Sequence, residues 1–262
     1  MVNFEGLLTD FSINEGKAIL DFPLVPGGRN YGFIDIGNDS IYILKQQKTY
    51  LWTFDSKAPI EVPDLRPPMR LEHFEARATQ NGVFFYASKL QTWIFNDGKW
   101  SERAKHPKEL ENTYWACATF IPNDDNNVYL TGGFKGGNLD TVYRYSIKDD
   151  TYEKLSFALD DKVRHHACAG YINEKFEEFI IVISATRQRI YSLTDESKNA
   201  FNPKHGINDH LSNCYMTVWN GYLFIAAKHR LYRTEIEGNG TWVELGAKPP
   251  KGEFAWLMPF NV

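Results

Sequence analysis

One pattern returns five times along this chain and constrains it more than any other feature. Four β-favouring residues are followed by two residues that are usually small. The copies are Val83-Phe84-Phe85-Tyr86 then Ala87-Ser88, Val128-Tyr129-Leu130-Thr131 then Gly132-Gly133, Ile180-Ile181-Val182-Ile183 then Ser184-Ala185, and Tyr222-Leu223-Phe224-Ile225 then Ala226-Ala227. A degenerate copy, Ile41-Tyr42-Ile43-Leu44, is followed by Lys45-Gln46. The starts at 41, 83, 128, 180 and 222 are separated by 42, 45, 52 and 42 residues. A unit that recurs at such a period is one supersecondary element, which cannot bury its apolar face alone and must stack on its neighbours.

The repeats share an internal grammar. A first strand precedes the run, as in 114–120, 166–171 and 215–219. A turn such as Asn81-Gly82 or Asn220-Gly221 joins the two, and Asn-Gly is a strong hairpin signal. A third strand carries aromatics, as in Thr141-Val142-Tyr143-Arg144-Tyr145. A polar turn then leads to a short fourth strand that opens on an aromatic such as Trp100, Tyr152 or Trp242. Helical periodicity is almost absent, and four antiparallel strands per repeat describe the blade of a β-propeller. The expected fold is therefore all-β, a single domain over 1–262 with six four-stranded blades; five blades plus an irregular N-terminal segment is the alternative. The last stretch, 255–260, reads as the inner strand of a blade completed by 4–8, 10–14 and 17–22, so that the two termini pair and close the ring. The aromatics then fill the wedges between blades.

These residues resemble the kelch repeat, a hydrophobic run and a Gly-Gly pair followed by an aromatic, six residues and a Trp. The best copy is 128–131 with Gly132-Gly133, Tyr145 and Tyr152; Trp93 and Trp100 keep the same spacing one unit earlier. Arg164 matches the Arg with which many kelch repeats open their first strand, while Thr113 stands at that place in the preceding unit. Ala-Ser, Ser-Ala and Ala-Ala replace Gly-Gly elsewhere, so the repeats are divergent. The resemblance implies an adaptor or scaffold that binds a protein partner, of the kind that serves ubiquitin ligases or the cytoskeleton. No BTB, BACK or F-box segment fits within the chain. Enzymes of similar scaffold, including sialic-acid mutarotases and iron-using specifier proteins, give the alternative of catalysis on a small sugar-like substrate. A structural, self-assembling component is the third reading.

Composition narrows the partners. Across 262 residues, 29 basic and 33 acidic side chains give a net charge of −4, which offers no electrostatic footprint for nucleic acid or an anionic membrane. No apolar run is long enough to span a bilayer. The N-terminus has no basic, apolar leader, and the three cysteines (Cys117, Cys168, Cys214) are odd in number and far apart. Both features point to free, buried thiols in a reducing, cytoplasmic setting. Asn38-Asp39-Ser40 and Asn239-Gly240-Thr241 have the form of glycosylation acceptors but read as turns in that setting.

No catalytic, metal or cofactor constellation emerges. The seven histidines contain no metal-ligand spacing, and the adjacent His165 and His166 point to opposite faces of a strand. The paired aspartates lie in turns, where Asp caps its own backbone. The Gly-rich run 132–137 joins two strands, whereas a phosphate loop needs a helix start. A recognition surface is better supplied. Tyr31, Arg77, Tyr114, Lys135, Arg164, His165, Arg187 and Arg189 are the candidates for a partner-binding face at one end of the central channel. The segment 64–70, with Pro67, Pro68, Met69 and two arginines, reads either as a peptide-contacting insertion or as a rigid crossover.

Overall fold

The computed structural model describes residues 31–37, 40–53, 56, 59–69, 76–78, 82–164, 166–184, 188–195, 197–200, 215–219, 221–227, 230–237 and 240–245. The chain is all-β. Among the described residues there is no α-helix, one 3-10 turn at Pro63–Leu65, and five four-stranded antiparallel sheets. They divide into two compact units, Arg29–Arg164 and Met1–Gly28 with His165–Val262.

The first unit holds three sheets. One is β1 (Tyr31–Gly37), β2 (Ser40–Lys45), β3 (Lys48–Thr53) and β4 (Ile60–Glu61). The next is β5 (Ala76–Ala78), β6 (Phe84–Ala87), β7 (Gln91–Asn96) and β8 (Lys99–Lys105). The third is β9 (Cys117–Phe120), β10 (Asn127–Thr131), β11 (Leu139–Ser146) and β12 (Thr151–Val163). The second unit holds β13 (Ala167–Ile172), β14 (Glu178–Ile183), β15 (Gln188–Ser192) and β16 (Lys198–Ala200), then β17 (Tyr215–Trp219), β18 (Tyr222–Ala227), β19 (Arg230–Glu235) and β20 (Val243–Leu245). Every sheet is a meander in which each strand pairs with the next in sequence. The recurring hydrophobic runs are the second strands: β2, β6, β10, β14 and β18.

Those second strands are buried because apolar side chains cover both of their faces. In β6 all four residues are buried, and the pleat sends alternate side chains to opposite sides. Phe84 and Tyr86 join Ile34, Leu44 and Phe95 in one core. Phe85 and Ala87 join Ala118, Val128, Leu130 and Tyr145 in the other. Aromatics seal both. The Trp100 ring lies 6.0 Å from Phe84 and 5.2 Å from Phe95, and Tyr152 lies 4.7 Å from Tyr145. In the second unit, Ile181, Ile183, Leu223, Ile225, Met216 and Trp242 form the corresponding core.

Polar contacts pin the second and third sheets of the first unit together. Asp150 accepts the Tyr145 hydroxyl at 2.6 Å and the Ala104 N–H at 2.7 Å. Thr92 and Tyr152 share a hydroxyl hydrogen bond, and Arg103 donates to the Ile147 carbonyl. The segment 64–70 acts as a crossover where it is described. The Leu65 carbonyl accepts Thr49 Oγ1 at 2.7 Å and Trp100 Nε1 at 3.2 Å, and Met69 packs against the Phe84 core.

Several sequence expectations shift. The first strand placed at 114–120 begins only at Cys117, because Tyr114 makes an isolated bridge to Phe134 and Trp115 has left-handed backbone, φ +57°. The fourth strand opening near Tyr152 is long rather than short: β12 runs 13 residues and pairs with β11 through two register shifts. Cys117 and Cys168 are buried but disulfide-bonded, which corrects the expectation of free thiols and removes the ground it gave for a reducing compartment. The expected closing strand 255–260 and its N-terminal partners lie outside the described residues. No helix among the described residues is long and apolar enough to cross a membrane.

Candidate functional site: an aromatic–cationic loop patch

Three connections and one strand end converge at one end of the second and third sheets of the first unit. They are the β6–β7 turn (88–90), the β8–β9 connection (106–116), the β10–β11 loop (132–138) and the end of β12. Backbone hydrogen bonds knit them. The Asn112 N–H donates to the Lys89 carbonyl at 2.9 Å, Tyr114 and Phe134 exchange bonds of 3.0 and 2.7 Å, and the Gly133 N–H donates to the Val163 carbonyl at 2.8 Å.

Gly133 makes this approach possible. Its φ is +112°, and a Cβ there would stand 2.6 Å from Thr113 Cγ2 and 3.2 Å from the Tyr114 carbonyl oxygen. Only a residue without a side chain lets the two loops meet.

The convergence assembles three half-buried aromatics. Tyr114 and Trp115 have ring centroids 6.1 Å apart, and Trp115 and Phe134 are 5.6 Å apart. Trp115 holds its place from a left-handed backbone that a bulky residue rarely adopts. Cations lie over the rings. The exposed Arg164 guanidinium is 4.9 Å from the Phe134 centroid and 5.5 Å from that of Trp115, and Lys89 Nζ is 5.5 Å from Tyr114. Arg164 neither hydrogen-bonds nor ion-pairs through its guanidinium among the described residues. A guanidinium held over aromatic rings with its N–H groups uncommitted can donate them to an incoming acceptor.

Of the residues expected on a recognition face, Tyr114, Lys135 and Arg164 come together here. Lys135 acts as a clamp, its Nζ donating to the carbonyls of Lys108 and Glu109. Tyr31 lies on β1 opposite Lys45 and Arg77 on β5 opposite Phe85; their side chains, with His165 and Arg187, lie outside the described residues. Arg189 belongs to the other unit, on β15, and donates to the Gln188 carbonyl. Sequence reasoning missed Trp115, assigned to a strand, and also Phe134 and Lys89. The available signal was Gly132-Gly133-Phe134, an aromatic directly after a glycine pair.

In the β8–β9 connection, the exposed Glu109 accepts the Tyr143 hydroxyl and lies 3.6 Å from Lys154 Nζ. The Tyr143 hydroxyl bond and then the lysine hold its carboxyl below the usual range. Burial, reinforced by Glu109, pushes the Tyr143 phenol up. His106, at the head of the same connection, packs edge-on against Tyr152 with ring centroids 5.5 Å apart. Burial lowers its pKa to about 4, and an approach to the Leu110 backbone, short of a full hydrogen bond, offsets part of this. Among the described residues no group of three or more His, Cys, Asp or Glu side chains is placed to hold a metal ion.

No family model matches the chain, and no curated protein matches it. Among solved structures it is similar to one titled "Structure of YjhT", at 12% identity and a TM-score of 0.45, covering 90% of this chain and 69% of that one. A likeness of this size carries no functional reading.

Proposed function

We propose that the chain is a non-catalytic interaction module, a propeller of six kelch-like blades that docks a partner protein or peptide on the loops around Arg164. The observation that carries this reading is the stack of an exposed Arg164 on Phe134 and Trp115, with Trp115 held in left-handed backbone. Backbone strain of this kind costs about 1–3 kcal/mol and persists where surrounding structure enforces it, characteristically at binding and catalytic sites. Arg, Trp and Tyr are also the residues most enriched where binding energy concentrates. The regular spacing of the second strands and the five meanders support the propeller. The sixth blade, closed by 255–260, belongs to the same proposal.

The test is a quantitative pull-down from native lysate with wild type and the double variant Arg164→Ala, Tyr114→Ala. Loss of a co-purifying protein, with the thermal melt unchanged, is the expected result. A partner retained equally by both would remove this face from the reading.

A further inference from the structure

We infer that this chain associates with a second copy of itself, the β13–β14 tip of one copy seating on the aromatic–cationic patch of another. The inference rests on the reading of that patch as a docking surface. It starts from Phe176, which is 88% exposed at the tip of the hairpin, with φ +63°. A bulky residue in left-handed backbone costs about 1–2 kcal/mol relative to one suited to it. Exposure adds no compensating burial within its own fold.

The tip is nonetheless firmly built. Asn173 Oδ1 accepts the N–H groups of Lys175 and Glu177, each at 2.9 Å, and Asn173 Nδ2 donates to the Glu177 carboxylate at 2.6 Å. The Phe176 N–H donates to the Asn173 carbonyl at 3.0 Å. An aromatic ring is thus presented to solvent on a preorganised support, which removes the ordering cost of docking it.

Charge selects the occupant. Glu174, Glu177 and Glu178 flank the ring against a single Lys175, and Glu237 joins them through its bond from the Tyr171 hydroxyl. The tip is an aromatic knob in an acidic collar. The patch around Tyr114, Trp115 and Phe134 is its complement, half-open aromatic walls edged by Lys89, Lys135 and Arg164. Glu109, in the connection that carries Tyr114 and Trp115, is already engaged by Tyr143 and Lys154. Arg164 has an unused N–H edge for a carboxylate such as Glu174, a pairing stronger than a neutral hydrogen bond. Knob and patch are different surfaces, so the contact is heterologous and each copy can both give and receive.

Sedimentation velocity of the full chain across a concentration series, at low and high salt, tests this. Wild type is expected to gain mass with concentration, more weakly at high salt. Phe176→Asn, which suits left-handed backbone, should melt no lower than wild type and weaken association by at least about tenfold. Glu174→Lys and Arg164→Glu should each fail to associate alone, and mixing them should restore it. A wild type that stays monomeric throughout overturns the inference and leaves the partner-docking reading untouched. So does association that Phe176→Asn leaves unchanged. If Arg164→Glu loses both self-association and the lysate partner while Phe176→Asn loses only the former, both readings stand.

Discussion

His106 gives this fold a built-in sensitivity to acid. Its ring lies in the β8–β9 connection, edge-on to Tyr152, with neither nitrogen in full hydrogen-bond geometry. Burial keeps it neutral, with a pKa of about 4 against an ordinary 6.5. The sign follows from proton counting. Between these two values the unfolded chain holds a proton that the folded chain rejects, so acid favours unfolding. Stability is full above pH 6.5 and falls as pH drops towards 4. At pH 5 the loss is about 2 kcal/mol, and it approaches about 3 kcal/mol near pH 4. His106→Phe keeps a ring of similar outline against Tyr152 and removes the titration. Urea unfolding of both proteins at pH 7 and pH 5 provides the assay. Wild type should lose about 2 kcal/mol more than the variant over that interval, a window chosen above the range where most carboxylates titrate. Parallel losses in the two proteins would refute the assignment, because the acid sensitivity would then belong to other groups.

Further outcomes follow from the same geometry. Gly133→Ala drives a Cβ to 2.6 Å from Thr113 and should cost about 2–4 kcal/mol in urea unfolding, whereas Gly136→Ala, also at positive φ but with open space around it, should cost only about 1 kcal/mol. Equal costs would mean that the close approach of the two loops is unimportant. Tyr145→Phe deletes the hydroxyl that Asp150 accepts at 2.6 Å and should cost about 1–2 kcal/mol, read from the same unfolding curves. Thiol titration of the denatured, unreduced chain should count one of the three cysteines, because Cys117 and Cys168 are bonded; a count of three would overturn the disulfide assignment.

The repeat was legible because it is written in side-chain volume and hydropathy. The runs at 41, 83, 128, 180 and 222 became second strands, and Trp100, Tyr152 and Trp242 became packing between sheets, as their period and type required. Strand ends were less legible. β12 extends to Val163 because Leu139 pairs with Val163 across two register shifts, a long-range match that no local pattern encodes. Half of the patch was also hidden. Arg164 and Tyr114 stood out as residue types. Trp115 looked like one more strand aromatic, because its left-handed backbone is imposed by the Tyr114–Phe134 bridge and the neighbouring Gly133. The cysteines misled for a related reason: spacing along the chain does not say whether a cysteine is bonded.

The double burial of β6 has a consequence for how this chain can go wrong. In most sheets a one-residue slip turns an apolar face outward, and water penalises the error. Here Phe84 and Tyr86 serve one core and Phe85 and Ala87 the other, so a slip would exchange the occupants of two buried cores rather than turn one apolar face outward. The correct register is then distinguished by shape alone, a ring where a ring fits and a methyl where only a methyl fits. A misthreaded chain would remain compact and would lack the exposed apolar surface that quality-control machinery recognises. Substitutions in this strand should therefore be tolerated by volume more than by polarity class, and the small Ala87 is as informative about the native register as the three aromatics before it.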